Sequence, residues 1–303
     1  MKTVCQCISP HLIGGIQAIV RPSRFPLFGQ KKMTGGNMPR DNGFLVIKSK
    51  DYFKFVSIDI LRPYIRPFFG SDELLGYRNR WCLWLINAPE SVLNIPLVAE
   101  RIECVRDFRN KSKNKSTKEY AKYAHLFVER HQNENVKCLA IPTIYSESRN
   151  IVPAAFLNES SISMNRIVLI QNADLYDFGI LSSRMHNAWT SAICGRLELN
   201  ISYSISMCYN TFPWPKKNNS MTIEQISQRI LEERQRHSMP LGDLYKPHLM
   251  PTTLKNLHSE LDNAVDCLYS PSGFASDAER LRHLFYLYKT KASQQSASID
   301  QWY

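Results

Sequence analysis

The 303-residue sequence has no Gly-x-Gly, no Pro-Pro and no acidic residue two places before a lysine. Each absence removes a chemistry. Without a Gly-x-Gly turn after a first strand, the backbone cannot close on a nucleotide-like cofactor such as S-adenosylmethionine in the Rossmann manner. Without Pro-Pro there is no Asn/Asp-Pro-Pro-Tyr/Phe loop, whose carbonyl and carboxamide orient the target amine in amino-group methylation. Without Asp/Glu-x-Lys there is no metal-dependent nuclease centre, which uses such a pair to bind magnesium and activate water. The eight cysteines include no Cys-x-x-Cys, and Cys5-Gln6-Cys7 is too tight for the usual zinc spacing. Thiols in apolar contexts such as Trp81-Cys82-Leu83 read as reduced and buried rather than as a disulfide framework. No run approaches the roughly 20 apolar residues of a membrane span. Met1-Lys2 begins like a secretory signal, but Gln6, Ser9, Pro10 and His11 interrupt the apolar stretch. The expectation is a cytoplasmic protein with no membrane partner.

What the sequence does hold is positive charge. The formal net charge is +11 and the isoelectric point is near 9.3. Both point to an acidic partner, nucleic acid first. The plainer alternative is a surplus that only keeps the chain dissolved. The apolar share of 44% allows a packed core, and the length suits about two domains.

Patterning changes at Lys216-Lys217-Asn218-Asn219. Residues 1–45 are rich in glycine and proline, with Gly14-Gly15 and Gly35-Gly36, and read as an extended leading segment. Residues 44–48, 80–86, 137–142 and 167–170 have strand length. Asp51 is placed to cap a helix over 52–60. Val92, Ile95, Val98, Ile102 and Val105 give a helical period over 89–109, with Pro96 delaying or kinking it. Residues 109–118 read as a solvated basic loop and 178–193 as one helix. Past the linker, Thr222 and Gln225 make a capping-box pattern ahead of Ile226, Ile230 and Leu231. Further helices are expected over 251–269 and 276–288, with a frayed tail after Lys289. The fold class is α+β: a mixed α/β domain over 1–219, then a small helical domain over 220–303.

Catalytic constellations are thin. Ser182 and His186 would share a helix face at i, i+4, but no acidic orienter or Gly-x-Ser-x-Gly elbow accompanies them. They read as a polar patch on a helix surface. Glu147 and Glu159 lack a paired carboxylate and read as surface or salt-bridge residues.

Several segments belong together as a set. They are Ser9-Pro10-His11-Leu12-Ile13, Met38-Pro39-Arg40-Asp41-Asn42-Gly43, Ile65-Arg66-Pro67-Phe68-Phe69-Gly70-Ser71-Asp72-Glu73 and Arg80-Trp81-Cys82-Leu83-Trp84-Leu85. Ser146-Glu147-Ser148-Arg149 and Phe178-Gly179-Ile180-Leu181-Ser182-Ser183-Arg184-Met185-His186 follow. Gly195-Arg196-Leu197-Glu198-Leu199-Asn200 precedes Tyr209-Asn210-Thr211-Phe212-Pro213-Trp214-Pro215, and Leu244-Tyr245-Lys246-Pro247 with Leu261-Asp262-Asn263-Ala264-Val265-Asp266 closes the set. Together they resemble the target recognition and C-terminal helical parts of MmeI-like (Type IIG/IIL restriction–modification) adenine-specific DNA methyltransferases. The resemblance covers nearly the whole chain. Two positions depart from it. Cys194-Gly195-Arg196 stands where Gly-Gly-Arg is common, and Ile201-Ser202-Tyr203-Ser204 where Tyr-Arg-Tyr-Ser is common.

The resemblance implies a reader of double-stranded DNA that lacks the catalytic part. S-adenosylmethionine then belongs to a missing catalytic half, lost from a fragment or separately encoded, and this chain alone transfers no methyl group. In the family, two positions spaced like Glu198 and Asn200 vary together and set which base is read. The chemistry fits, because a carboxylate accepts from cytosine N4 and asparagine pairs with adenine. Residues i and i+2 of an extended segment also project to one side. Backbone-contact candidates are Arg62, Arg66, Arg78 and Arg80 around the Phe-Gly-Ser turn, Lys111, Lys113, Lys115 and Lys118, and Arg196. Surface salt bridges and a plain solvated loop are the alternatives for these cations. Phe68, Phe69, Trp81 and Trp84 read as core rather than base-stacking residues. Two other classes stay open: a protein–protein interaction module docking by its helical end, and a non-functional gene remnant.

Overall fold

The computed structural model describes residues 19–217 and 220–299. Cys5, Cys7, the segment 9–13, Gly14-Gly15 and Asn218-Asn219 lie outside the described residues. The elements run β1 (Met33–Gly35), β2 (Val46–Lys48), α1 (Tyr52–Val56), β3 (Ile65–Phe69), α2 (Ser71–Leu74), β4 (Arg80–Leu83), α3 (Glu90–Leu93), α4 (Pro96–Asn110) and α5 (Lys115–Glu119). They continue with β5 (Cys138–Pro142), β6 (Ile144–Ser146), β7 (Ala155–Leu157), β8 (Ile162–Ser163), β9 (Ile167–Gln171), α6 (Leu175–Ser182), α7 (Arg184–Ile193), β10 (Gly195–Leu197) and β11 (Asn200–Ser202). Four helices close the chain: α8 (Ser220–Gln235), α9 (Leu241–Leu244), α10 (Thr252–Tyr269) and α11 (Asp277–Ile299). Helices and strands are mixed through the first two thirds and only helices follow, which is an α+β chain. Among the described residues no helix is long and apolar enough to cross a membrane.

The chain divides into two compact units. One takes Thr34–Ala140 and Phe156–Gln171; the other takes the residues up to Met33, Ile141–Ala155 and those from Asn172 onward. This division cuts the chain differently from the linker at 216–219, because it groups 141–155 and 172–217 with the terminal helices.

In the unit over 34–140 and 156–171, one sheet has the order β2-β4-β3-β8. β2 and β3 run antiparallel to β4, and β8 runs parallel to β3. Ile47, Phe68, Cys82 and Leu83 are buried on it, with Phe55, Trp84 and Phe127 packed into the same core. Val98, Ile102 and Val105 of α4 join that core at helical spacing. The expected helix over 89–109 is broken in two. Pro96 has no amide to continue α3, so the chain turns at Asn94-Ile95 and Pro96 becomes the first residue of α4. A second sheet has the order β1-β9-β5-β7. All of β5 and most of β9 are buried, as suits continuous apolar runs at the middle of a sheet.

Arg109, expected in the basic loop, instead ends α4 with its side chain wholly buried. Its guanidinium donates to the carbonyls of Pro39, Arg40, Tyr120, Tyr123 and Leu126 at 2.7–3.1 Å. Five loop carbonyls thus find one donor, and burial pulls the group down to about 10. Asp51 makes no capping hydrogen bond, and α1 stops at Val56.

The other unit is mostly helical. α6 packs on α8, α8 on α10, and α7 on α11. A Cβ on Gly179 of α6 would meet Ile223 Cγ2 at 2.5 Å and Ser227 Oγ at 2.6 Å, so the bare backbone is what lets α6 close on α8. Trp189 is fully buried against Phe285 and Tyr288. The expected single helix over 178–193 breaks at Ser183, whose extended backbone ends α6 and whose hydroxyl caps α7 at the His186 amide. α8 starts at Ser220, so Thr222 lies inside it rather than at its cap. α11 continues to Ile299 where fraying was expected after Lys289.

Candidate nucleic-acid interface

A tight hairpin carries the two residues singled out for base contact. Cys194 leaves α7 with extended backbone (φ −70°, ψ 148°). β10 and β11 then pair antiparallel, with Gly195 opposite Ser202 and Leu197 opposite Asn200. Glu198 and Leu199 are left as a two-residue turn. Glu198 has φ 54°, a left-handed conformation that costs a residue with a Cβ about 1–2 kcal/mol. The expected i, i+2 pair on one extended segment is therefore not formed: Glu198 lies in the turn and Asn200 opens β11. Strand alternation does not put them on one side, although both sit at the hairpin tip, Glu198 exposed and Asn200 half-buried.

The hairpin is clamped at its base. Arg196 donates from Nη2 to Glu147 Oε1 at 2.8 Å and from Nε to Oε2 at 3.2 Å. The same guanidinium reaches the carbonyls of Cys194 and Ser191 at 3.0 and 2.7 Å. The Glu147 amide donates to Leu199 O at 3.3 Å. β11 pairs with β6, and Ile201 is buried opposite Tyr145. Hydrogen bonds from the Cys208 thiol and the Ser204 amide hold the Cys194 thiol below its usual range, against the effect of burial.

Tyr203, just past β11, meets His186 Nε2 through its hydroxyl at 3.0 Å. His186 packs edge-on to Phe212 at 4.6 Å, and Phe212 packs on Trp214. The Phe-Pro-Trp-Pro turn thus supports the hairpin through a histidine. Burial drives His186 down to about 3, which keeps the ring neutral. Ser182 and His186 are both buried and lie on different helices, so the expected surface patch is not there. Burial hides them because α6 and α7 are covered by α8, α10 and α11.

The Phe-Gly-Ser turn is built on a buried carboxylate. The Glu73 side chain is 2% exposed and pairs with Arg80 at 2.8 Å and Arg78 at 2.7 Å. It also accepts the Gly70 amide at 2.8 Å. A Cβ at Gly70 would meet Arg80 Nη2 at 2.8 Å, so glycine leaves room for that guanidinium. Arg78 further pairs with Asp72 at 2.9 Å, and Arg62 with Asp59 at 2.9 Å. Arg80 lies 5.0 Å over the Phe68 ring. Arg66 is half-exposed and makes no ion pair among the described residues. Phe68 and Trp84 are core, while Trp81 is half-buried and stacks on Tyr52 at 4.0 Å.

Lys111, Lys113, Lys115 and Lys118 are all exposed and make no ion pair among the described residues. The segment is not wholly a loop. Asn114 accepts the Thr117 amide at 3.0 Å and starts the short helix α5, which places Lys115 and Lys118 one turn apart.

Residues 14–216 match the family model described as MmeI, target recognition domain. Residues 215–295 match MmeI, C-terminal domain. The chain belongs to the MmeI family. It is 36% identical over 292 residues to DNA methyltransferase A of Bacillus subtilis (strain 168), across 95% of this chain and 33% of that protein. A solved structure of the Type IIL restriction-modification enzyme MmeI in complex with DNA is similar at a TM-score of 0.89 and 35% identity, over 95% of this chain and 39% of that one. The chain thus spans well under half the length of either MmeI-family relative.

Glu147, read as a surface or salt-bridge residue, is the carboxylate that pairs with Arg196, although the sequence did not name that partner. Two features of this MmeI-type hairpin were missed. The turn at Glu198 escaped notice because Glu-Leu is not a turn dipeptide of the Asn-Gly kind. Leu197 and Leu199, to which no role was assigned, are 54% and 83% exposed. Apolar residues beside a clamped turn, with no strand partner beyond them, are the signal that could have found it.

Proposed function

We propose that this chain is the sequence-specific DNA-recognition module of an adenine-N6 DNA methyltransferase of the restriction–modification type. The observation that carries the proposal is the clamped β10–β11 hairpin in a chain that resembles, at a TM-score of 0.89, an enzyme solved in complex with DNA. Double-stranded DNA is the partner and the cytoplasm its setting. The chemistry divides by region. Glu198 and Asn200 at the hairpin tip contact base edges in the major groove, which admits a two-stranded ribbon. Lys111, Lys113, Lys115, Lys118 and Arg66 contact phosphates with charge that no carboxylate among the described residues neutralises. Arg196 positions the hairpin. Arg62, Arg78 and Arg80 already serve carboxylates, and Arg78 and Arg80 hold the Phe-Gly-Ser turn.

Methyl transfer needs residues this chain does not carry. S-adenosylmethionine and the Asn/Asp-Pro-Pro-Tyr/Phe loop belong to a catalytic half, joined to this chain or encoded separately. The chain alone is then inactive. The division into a recognition domain over 1–219 and a helical domain over 220–303 is kept as a working description.

The test is the salt dependence of duplex binding by the full chain. Each phosphate contact contributes a log–log slope of about −0.9. Replacing the four lysines by glutamine should flatten the slope by about 3.6 and weaken binding to all sequences alike. Affinity that is flat between low and physiological salt would contradict the proposal. A loss confined to one sequence would move base reading to the lysine segment.

A further inference from the structure

The turn of the β10–β11 hairpin pairs its carboxylate with an apolar side chain that no role so far explains. Leu199 is 83% exposed, and Leu197 beside it is 54% exposed. An isolated exposed leucine is unremarkable in most proteins. Here it lies in a two-residue turn next to a left-handed Glu198, with its carbonyl held by the Glu147 amide at 3.3 Å and the strand before it clamped by Arg196. The backbone at Leu199 is fixed from both sides while the side chain is left in solvent. Such a residue is preorganised for contact, because little backbone entropy remains to be lost on docking.

The charge at the tip selects the kind of contact. Glu198 is exposed, and the nearby Arg196 is committed to Glu147 and to two carbonyls. With Glu198 free and Arg196 committed, the carboxylate at the tip is repelled by phosphate. A base edge is the surface of a duplex that such a tip can meet. Among base edges in the major groove, the apolar feature is the thymine C5-methyl group.

Resting on the DNA-recognition reading above, we propose that Leu199 is a specificity-determining residue that reads a thymine C5-methyl group in the target sequence. Glu198 beside it accepts from the neighbouring base. Covering one methyl group is worth about three- to tenfold in affinity.

The experiment enriches bound duplexes from two randomised 20-base-pair pools, one copied with thymine and the other with uracil, using the full chain. Wild-type protein should enrich a motif from the thymine pool with a required thymine, and lose about three- to tenfold of that preference in the uracil pool. L199A should lose the same preference in the thymine pool and show no further loss with uracil. L199M, which keeps an apolar contact, should retain most of it. Leu199 is so exposed that neither variant is expected to disturb folding, which thermal melting checks. Motifs that are identical for wild type and L199A, or for both pools, would overturn the Leu199 assignment while leaving DNA recognition intact. Failure of wild-type protein to retain either pool would overturn the DNA-recognition reading itself, and this inference with it.

Discussion

Two stretches of one compact unit are each rich in cations and have opposite physics. Between residues 62 and 80, three of four arginines lie within 2.9 Å of carboxylates, and the partner Glu73 is almost completely buried. Between 111 and 118, four lysines stand in solvent with no carboxylate partner among the described residues. The first stretch has used its charge to build a turn. The second has kept its charge for something outside the chain. A count of cations along a sequence therefore overstates the charge available to a partner, and only the unpaired ones contribute to long-range attraction. Arg109 completes the contrast: it adjoins the lysines in sequence yet serves five carbonyls inside the fold.

The largest effects should come from breaking the committed side of this comparison. Arg109→Ala should lower unfolding stability by about 3–5 kcal/mol, because five carbonyls lose a guanidinium donor at once. Glu73→Gln should cost somewhat less, about 3 kcal/mol, by leaving Arg80 buried beside a neutral partner. Neutralising any one of the exposed lysines should shift stability by no more than about 0.5 kcal/mol. Urea unfolding of the same preparations compares them directly. A lysine variant as destabilised as the arginine variant would erase the distinction.

A second effect separates scaffold from charge by pH. His186 supports the hairpin as a neutral ring with a pKa pushed by burial to about 3. Its folded pKa lies below the unfolded value of about 6.5. The unfolded state therefore binds the extra proton, and the stability His186 contributes is fully present above about pH 6.5 and is lost as pH falls toward 3. Between those limits the loss is about 1.4 kcal/mol per pH unit. His186→Gln should abolish that portion of the acid sensitivity, read as the difference between the two proteins' unfolding curves at pH 7, 6 and 5. Parallel curves would show that the buried ring is not titrating as described.

A small stability effect is also expected at the hairpin clamp. Arg196 and Glu147 are partly exposed, and a pair of that kind is worth about 1 kcal/mol or less. Arg196→Ala should leave unfolding nearly unchanged while blurring the enriched duplex motif, because the turn loses its anchor. An unchanged motif would mean that the hairpin holds its shape without the clamp.

Much of this architecture was legible in the residues. The buried strands at 138–142 and 167–171 announce themselves as unbroken apolar runs, and α10 starts and stops within a residue of its apolar period. Two helix breaks differ in how visible they are in the sequence. Pro96 divides what periodicity joins into one helix, and Ser183 does the same by offering its hydroxyl as a cap, an alternative to continuing the helix that no apolar spacing reveals. The set of short motifs around the Phe-Gly-Ser turn and the hairpin identified the family. It could not reveal which cations are neutralised, because Glu73 and Glu147 act through partners fixed only by tertiary structure. The positive φ at Glu198 was also hidden, since glutamate carries no preference for it.

The most direct test of the central claim exchanges Glu198 and Asn200 together for Lys and Asp. The variant would be combined with the S-adenosylmethionine-binding half of an MmeI-family relative, and the modified adenines located by sequencing. A matched base contact is worth about 1–3 kcal/mol of discrimination, and both positions must change at once, since a mismatched pair leaves an unpaired polar group at the interface. The account predicts that one base of the methylated site changes while the others are kept. Methylation of an unaltered site by the double variant would contradict it and return Glu198 and Asn200 to the status of ordinary hairpin residues.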